Sequence, residues 1–558
     1  MKKFISVLLS VLMLVTLTMT VINVSAANAQ ATPIIYIRGN GIHLYNENGE
    51  RIASEVSDIE LGSEDENVKD KIVETSANIL LPFITEGLLF DKWDNYAQAL
   101  YDEFSPLMDE VTLDGDGNPR YGTGPSKADL KKDEADSHKN YQMSNGKYDT
   151  RSYVFIYDWR LDPFETADRL DKYIDNILAA TKKSQVSVVT RCMGGCVITA
   201  YLERYGADGK VKNVLYGDTL AMGCAAISNG FSGKVEFDAK IVERYEGQLT
   251  HCAEIDSGVG FEIPVLADEI IQRSLDLFNQ IGVTDKLLGS VEQLYSKLYK
   301  ALIPALFHAF GFTSMPMYWA LVDEEDFDEA FEIMFGEEGS EAREYYSGLI
   351  EKIEYYREHI TSKRNDVFKS FSEVYGVHIG SVSKYGYLNA PVIEDADVLS
   401  DALANLDDAS LGATTAKIGS TLSDEYIASR IAENPENAKY ISPDKMVDTS
   451  TSLYPDTAWV VKNQHHGFDD VIFGVAYEFC NGTGVTVEDS SYPRFMMYDD
   501  STLTWSEMTE DNCGDLEFMT RPTEKSTIAT KLAAFFKWLT KIFELITKLF
   551  NGEIGSGK

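Results

Sequence analysis

Positive charge is scarce in this chain. Lys and Arg number 50 against 89 Asp and Glu, a formal net charge of -39. Such a surface repels a phosphate backbone, so nucleic acid is excluded as a partner. Cysteine is scarce too, with six in 558 residues. None forms a C-x-x-C pair, and no His/Cys set near Cys192 and Cys196 completes a zinc site. The acidic loop Leu113-Asp114-Gly115-Asp116-Gly117-Asn118-Pro119 lacks the full ligand pattern of a calcium loop and reads as a solvated turn. No cofactor is expected. With 44% apolar and 11% aromatic residues, a sizeable core is available.

The N-terminus is read as an export signal over residues 1–29. Lys2 and Lys3 precede an apolar run starting at Phe4, and Val24-Ser25-Ala26 and Ala27-Asn28-Ala29 both suit signal peptidase. The mature chain is then secreted, possible cell-surface contact being left to its tail. In that oxidising space Cys224 with Cys252, and Cys480 with Cys513, are candidate bridges.

A serine is missing at the position around which the chain is organised. Val186-Ser187-Val188-Val189-Thr190-Arg191-Cys192-Met193-Gly194-Gly195 is an apolar strand running into a glycine turn, and a helical pattern follows from Cys196 to Tyr205. Strand, sharp turn and helix are the setting of a nucleophile elbow, usually G-x-S-x-G. Here it reads Thr190-x-Cys192-x-Gly194, with a thiol in place of the hydroxyl. A thiol needs less help from a base, since its reference pKa is about 8.5. Pro33-Ile34-Ile35-Tyr36-Ile37 reads as another buried strand, followed by Arg38-Gly39-Asn40-Gly41. In hydrolases with an elbow, such a loop supplies one oxyanion-hole amide and the residue after the nucleophile the other. The candidates are Asn40 or Gly41, and Met193.

Strands and helices alternate through this half, which predicts a mostly parallel α/β sheet. From about 239 to 367 the pattern turns helical, as expected of a cap inserted between strands. Phe371 to Lys384 reads as a strand, and 395–437 as a polar segment without assignment. From Ser526 to Phe550 an amphipathic helix sets Lys537, Lys541 and Lys548 apart from Leu539, Ile542, Ile546 and Leu549, a pattern suited to a membrane surface.

Tyr157-Asp158-Trp159-Arg160 with Pro163, the elbow after it, the Arg-Gly-Asn-Gly loop and Thr313-Ser314-Met315-Pro316 together resemble the lecithin:cholesterol acyltransferase family of α/β-hydrolases. The family elbow carries serine; this chain keeps Met-Gly-Gly and has Cys192. The resemblance implies an α/β-hydrolase core in two parts, 30–238 and 368–520, around the 239–367 cap, with a tail over 521–558. It implies an acid within a D-x-x-V segment, which falls on Asp444 with Asp448 as competitor. It implies a base after the last strand, His466 or its neighbour His465, the former fitting better. The activity so implied is acyl hydrolysis or acyl transfer on lipid-like esters by a Cys192–His466–Asp444 triad. The loss of serine leaves a second reading: a degenerate hydrolase that binds lipid or a surface partner.

Overall fold

The computed structural model describes residues 32–39, 43–52, 82–126, 152–234, 291–389, 393–394, 396–467, 470–499, 502 and 504–514. The export signal, Asn40 and Gly41, the first part of the expected cap and the amphipathic tail lie outside the described residues.

Eight strands form one sheet: β1 Ile34–Ile37, β2 Ser152–Phe155, β3 Val186–Cys192, β4 Val211–Thr219, β5 His378–Tyr385, β6 Ala458–Lys462, β7 Phe495–Asp499 and β8 Thr504–Glu507. Their spatial order is β8-β7-β6-β5-β4-β3-β1-β2. Every neighbouring pair is parallel except β7 with β8, an antiparallel edge. The protein is therefore an α/β fold with a mostly parallel sheet.

Parallel strands need both faces covered, and the sequence alternates to suit. Ile35, Ile37, Val186, Val188, Val214 and Tyr216 point into one core; Ile34, Tyr36, Val189, Leu215, Trp459 and Val461 point into the other. Helices α1 (Pro163–Thr181) and α2 (Gly194–Tyr205) cover the first face with Phe164, Leu170, Ile174, Val197 and Tyr201. Asp162 caps α1 by accepting from the Glu165 amide at 2.8 Å, and Pro163 occupies its first turn, where a missing N–H costs nothing. Helix α3 (Asp470–Asn481) covers the second face with Val471, Ile472, Val475 and Phe479.

The chain leaves the sheet after β4 and returns at β5, which is its hydrogen-bonded neighbour. The described residues between, from 291 onward, are mainly helical and pack aromatically. The Trp319 ring meets Phe231, Phe331 and Phe335 at centroid separations of 4.8, 5.2 and 5.1 Å. Strand β5 starts later than the sequence suggested. A helix runs over Arg364–Glu373, and Gly376 at φ +68° turns the chain before His378. Cys480 and Cys513 form no bridge, and Cys224 is also free. Cys480 is sealed in the second core, whereas Cys513 sits beyond the β8 edge with its thiol toward Glu510 O at 3.5 Å. Cys252 lies outside the described residues.

The Tyr157–Arg160 segment is a structural knot. Arg160 is completely buried. Its guanidinium forks onto Asp158 at 3.0 and 2.7 Å and donates to Val111 O at 2.8 Å and Thr123 O at 2.9 Å. Removing one partner of a buried pair strands the other charge, at a cost of about 3–5 kcal/mol. Arg160→Ala is expected to lose that much stability in urea unfolding followed by circular dichroism. Arg160→Lys should recover only part of it, since lysine lacks the planar fork.

Candidate functional site

Cys192 ends β3 in the left-handed region, at φ 54°. A non-glycine residue held there costs about 1–3 kcal/mol and persists only where its surroundings enforce it. The enforcement is steric. A Cβ on Gly194 would lie 2.6 Å from Arg38 O and 2.7 Å from Ile37 O; one on Gly195 would lie 2.1 Å from Thr219 Oγ1. Only glycines let α2 start this close to β1 and β4. Gly39 closes the elbow from the other side, because its Cβ would lie 2.7 Å from Cys192 Cβ and 3.1 Å from the sulfur. The loop after β1 thus runs directly against the thiol. Met193 caps α2, so its amide stands at the positive end of the helix dipole.

His466 follows β6 and is buried. Its Nδ1 lies 2.8 Å from Asp401 Oδ2, and its backbone amide donates to Asp401 O at 2.8 Å. The other oxygen of Asp401 accepts from the amides of Leu403 at 3.0 Å and Ala404 at 2.7 Å. Burial alone would depress the imidazole pKa. The charge and hydrogen bond of Asp401 outweigh it, the neighbouring Cys192 thiol adds to them, and the value rises to about 10. The Asp401 carboxyl is correspondingly lowered: burial opposes this, and the nearby imidazole outweighs the burial. With Nδ1–H donated to Asp401, Nε2 is left to meet the thiol. That nitrogen is buried with no aligned hydrogen bond, a contact still loose in this closed state.

The acid inferred from the sequence is therefore corrected. Asp444 does not face the imidazole. It accepts from Ser442 Oγ at 2.6 Å, pairs with Lys462 Nζ at 3.0 Å and takes the Tyr385 hydroxyl. Lys462 ends β6 with no exposed surface, and a buried ammonium needs a counterion. Asp448 is also structural, held by Tyr426 OH at 3.0 Å, Arg430 Nε at 3.2 Å and the Ser450 amide at 2.9 Å. His465 turns away: its Nδ1 meets His466 O at 3.0 Å and its ring packs on Tyr387. Asp401 was missed because it lies in the polar segment left without assignment. The clue was the short apolar run Val398-Leu399-Ser400-Asp401-Ala402-Leu403, a buried stretch in polar surroundings.

Two more buried charges adjoin Asp401 and His466. Asp218, at the end of β4, pairs with Lys384 of β5 at 2.6 Å, both without exposure. Ligand atoms of Asp218, Asp401 and His466 lie within 4.8 Å of one another, a grouping of metal-ligand types among the described residues. Lys384 and the imidazole already supply its cations, so we assign no metal there. Arg191 donates to Gly467 O at 3.3 Å and braces the turn after His466. Tyr157 OH donates to Arg38 O at 2.7 Å, linking the Tyr157–Arg160 knot to the loop beside Cys192. Tyr318 lies near enough to Cys192 for the two to interact electrostatically, and it heads an aromatic wall in which it stacks on Phe312 at 4.3 Å and meets Trp159 at 6.3 Å. Cys192 is 3% and His466 5% exposed, so the site is closed. A cavity of about 530 Å³ between Tyr101, Arg120, His308 and Tyr346 reaches none of the three.

No protein-family model matches the chain, and no curated protein does. A solved chain described as "The crystal structure of Tle4-Tli4 complex" is similar at 15% identity over 36% of this chain, with a TM-score of 0.17. The match spans about half of that chain, 48%.

The His466 pKa has a consequence for stability. Its folded value, about 10, lies above the ordinary 6.5, so the folded state holds a proton that the unfolded state releases. The resulting stabilisation is full below pH 6.5 and is lost as pH rises through about 10. The stability difference between wild type and His466→Gln, from urea titrations across that window, should shrink with rising pH. A constant difference would contradict the assignment.

Proposed function

We propose that this protein is an exported acyl hydrolase or acyltransferase of α/β-hydrolase fold, acting on lipid-like esters through Cys192, His466 and Asp401. The observation that carries this reading is the Asp401–His466 pair beside a thiol held at φ 54° on a strand–helix turn. The strand order supports it. Nucleophile, acid and base follow β3, β5 and β6, three strands lying close together in one parallel sheet, at the carboxyl ends where α/β sites form.

In the proposed reaction the ring has taken the thiol proton before the ester arrives, so that His466 stands as the imidazolium, and the sulfur attacks the ester carbonyl carbon. The Met193 amide and the loop after β1, with Asn40 or Gly41, receive the oxyanion. Nε2 then returns the proton to the departing alkoxide, leaving an acyl-thioester on Cys192. Water or a second alcohol then attacks that thioester, giving its proton to the now neutral ring, and the C–S bond breaks to release the acid or new ester and return the Cys192 sulfur beside the imidazolium. Asp401 holds the ring in one tautomer and stabilises its charged form. The apolar wall of Trp159, Phe312 and Tyr318 suits an acyl chain better than a polar substituent. The amphipathic tail, in this reading, brings the enzyme to a lipid surface. The closure of the site and the loss of serine favour a second reading, a lipid- or surface-binding protein that retains the site without turnover.

Turnover of p-nitrophenyl esters and thioesters separates the two. Wild type should release p-nitrophenolate with a burst, and Cys192→Ala should release it at the buffer rate. Equal rates for the two proteins would eliminate the enzymatic reading. For the tail, full-length protein should co-sediment with anionic vesicles, added salt should weaken this, and a chain ending at Thr523 should stay in the supernatant.

A further inference from the structure

The cavity of about 530 Å³ that stands apart from Cys192 has no part in the triad reading. Its volume falls within the roughly 300–1,000 Å³ of small-molecule sites. Three stretches wall it. One is the Trp93–Phe104 helix with the loop after it through 120. Another is the end of the Val291–Ala309 helix with residues 311–314. The last is Tyr345 and Tyr346, where the Glu341–Tyr345 and Ser347–His359 helices meet. The walls are tied to one another. The Leu113 amide donates to Ser314 Oγ at 3.0 Å, and the Leu349 amide to Gly115 O at 3.0 Å. Two glycines let them close. Gly311 sits at φ +75°, where a Cβ would also lie 2.4 Å from Thr112 Cγ2, and a Cβ on Gly115 would lie 2.1 Å from Tyr345 O. Contacts between distant parts of the chain therefore shape this space.

The lining is aromatic and polar, and its charges cancel. Arg120 pairs with Asp109 at 2.6 Å and donates to Thr112 Oγ1 at 3.2 Å, both through Nη1. Its Nε and Nη2 donors meet no partner among the described residues. The His308 ring lies against Tyr101 at 4.9 Å, and its Nδ1 shares a hydrogen bond with Thr313 Oγ1 at 3.0 Å. Burial lowers the His308 pKa, so this ring adds no charge at neutral pH. The hydroxyls of Tyr101, Tyr345 and Tyr346 meet no hydrogen-bond partner among the described residues. Tyr346 is close enough to the other two and to Arg120 to interact with them electrostatically. Burial, then Tyr345 and Tyr101, push its pKa up to about 12, so it remains a donor. Three phenols and a guanidinium thus bring unused hydrogen-bonding capacity to one space.

An acyl chain would strand these polar groups. An anion gains little, because Asp109 already offsets Arg120 and the chain as a whole carries -39. A sugar satisfies both sides of the lining. Its hydroxyls meet the phenols and the guanidinium, and its C–H face packs on a tyrosine ring. We propose that this cavity is a binding site for a neutral sugar, one or two rings of a glycan that leaves past Tyr345. Tyr345 is 56% exposed and meets Tyr346 edge-on at 4.8 Å, so it forms an aromatic rim. The site needs no turnover at Cys192 and stands whether or not the triad is active.

The test is saturation-transfer NMR on the full-length protein with cellobiose, maltose, mannobiose and N,N′-diacetylchitobiose, each titrated for its Kd. Decanoate, p-cresol and glucose 6-phosphate represent the competing chemistries. At least one disaccharide should bind with a Kd below about 1 mM. Tyr345→Ala should weaken that binding about tenfold and Tyr345→Phe about threefold, since the first loses ring and hydroxyl and the second the hydroxyl alone. Arg120→Met should weaken it by about tenfold or more. Both side chains are exposed, so neither change threatens the fold. No binding of any disaccharide, or binding that all three variants leave unchanged, would overturn the proposal. So would a competing compound that binds where the sugars do not and is lost in Tyr345→Ala. Sugar binding lost in Cys192→Ala would also overturn it, by putting the sugar at the triad.

Discussion

A carboxylate with no exposed surface faces an imidazole with almost none, and the site depends on that pair. Neither group would stay charged alone in such surroundings, because burial favours their neutral forms. Together they invert the effect of burial: the carboxyl is lowered and the imidazole raised to about 10. Two backbone amides complete the Asp401 shell, so the pair is fixed in direction as well as in charge. Its location follows from topology. Asp401 comes from the loop beyond β5 and His466 from the end of β6, so two neighbouring parallel strands deliver the partners to one edge of the sheet.

The thiol reaches that pair through steric constraint. Glycines at 39, 194 and 195 remove the side chains that would hold β1, β4 and α2 apart, and Cys192 takes up the strain that results. This is a division of labour between parts of the chain. Backbone proximity sets where the sulfur sits, and buried charge sets what the neighbouring base can do. The Tyr157 hydroxyl braces the loop beside the sulfur, and Trp159 of the same segment meets Tyr318 of the helical insertion.

Much of this was legible in the residues, for physical reasons. Strong local signals carried: the Val-rich run before Cys192, the glycines after it, and the helical pattern from Cys196 to Tyr205. Each is a pattern that one stretch of chain displays by itself. The carboxylate that meets His466 was not legible in this way. Asp444 and Asp448 stand in a segment whose spacing resembles a family motif, yet each is used as a counterion, for Lys462 and for Arg430. Asp401 lies in a stretch of isolated bridges and short turns with little periodicity, and only the pairing of β5 with β6 brings it to His466. The Asp218–Lys384 pair was hidden likewise, since a lysine inside a strand pattern reads as exposed until the sheet is assembled. Strand β5 starts after Phe371 and Val374 because Phe371 belongs to the buried face of the Arg364–Glu373 helix, Val374 is its exposed C-cap, and Gly376 then turns the chain.

The central claim is that Asp401, and not Asp444, is the acid of a working Cys–His–Asp site. The most direct measurement is the rate at which Cys192 becomes acylated by a p-nitrophenyl ester, followed by intact mass in wild type, Asp401→Asn and Asp444→Asn below their unfolding temperatures. Asp401→Asn leaves the ring without its negative partner and should slow acylation by about 10²–10⁴-fold. Asp444→Asn, which disturbs the Lys462 pair and the Ser442 and Tyr385 hydrogen bonds but none at His466, should acylate within about threefold of wild type while unfolding more readily. Wild-type acylation in Asp401→Asn, or an equal loss in Asp444→Asn, would contradict the assignment.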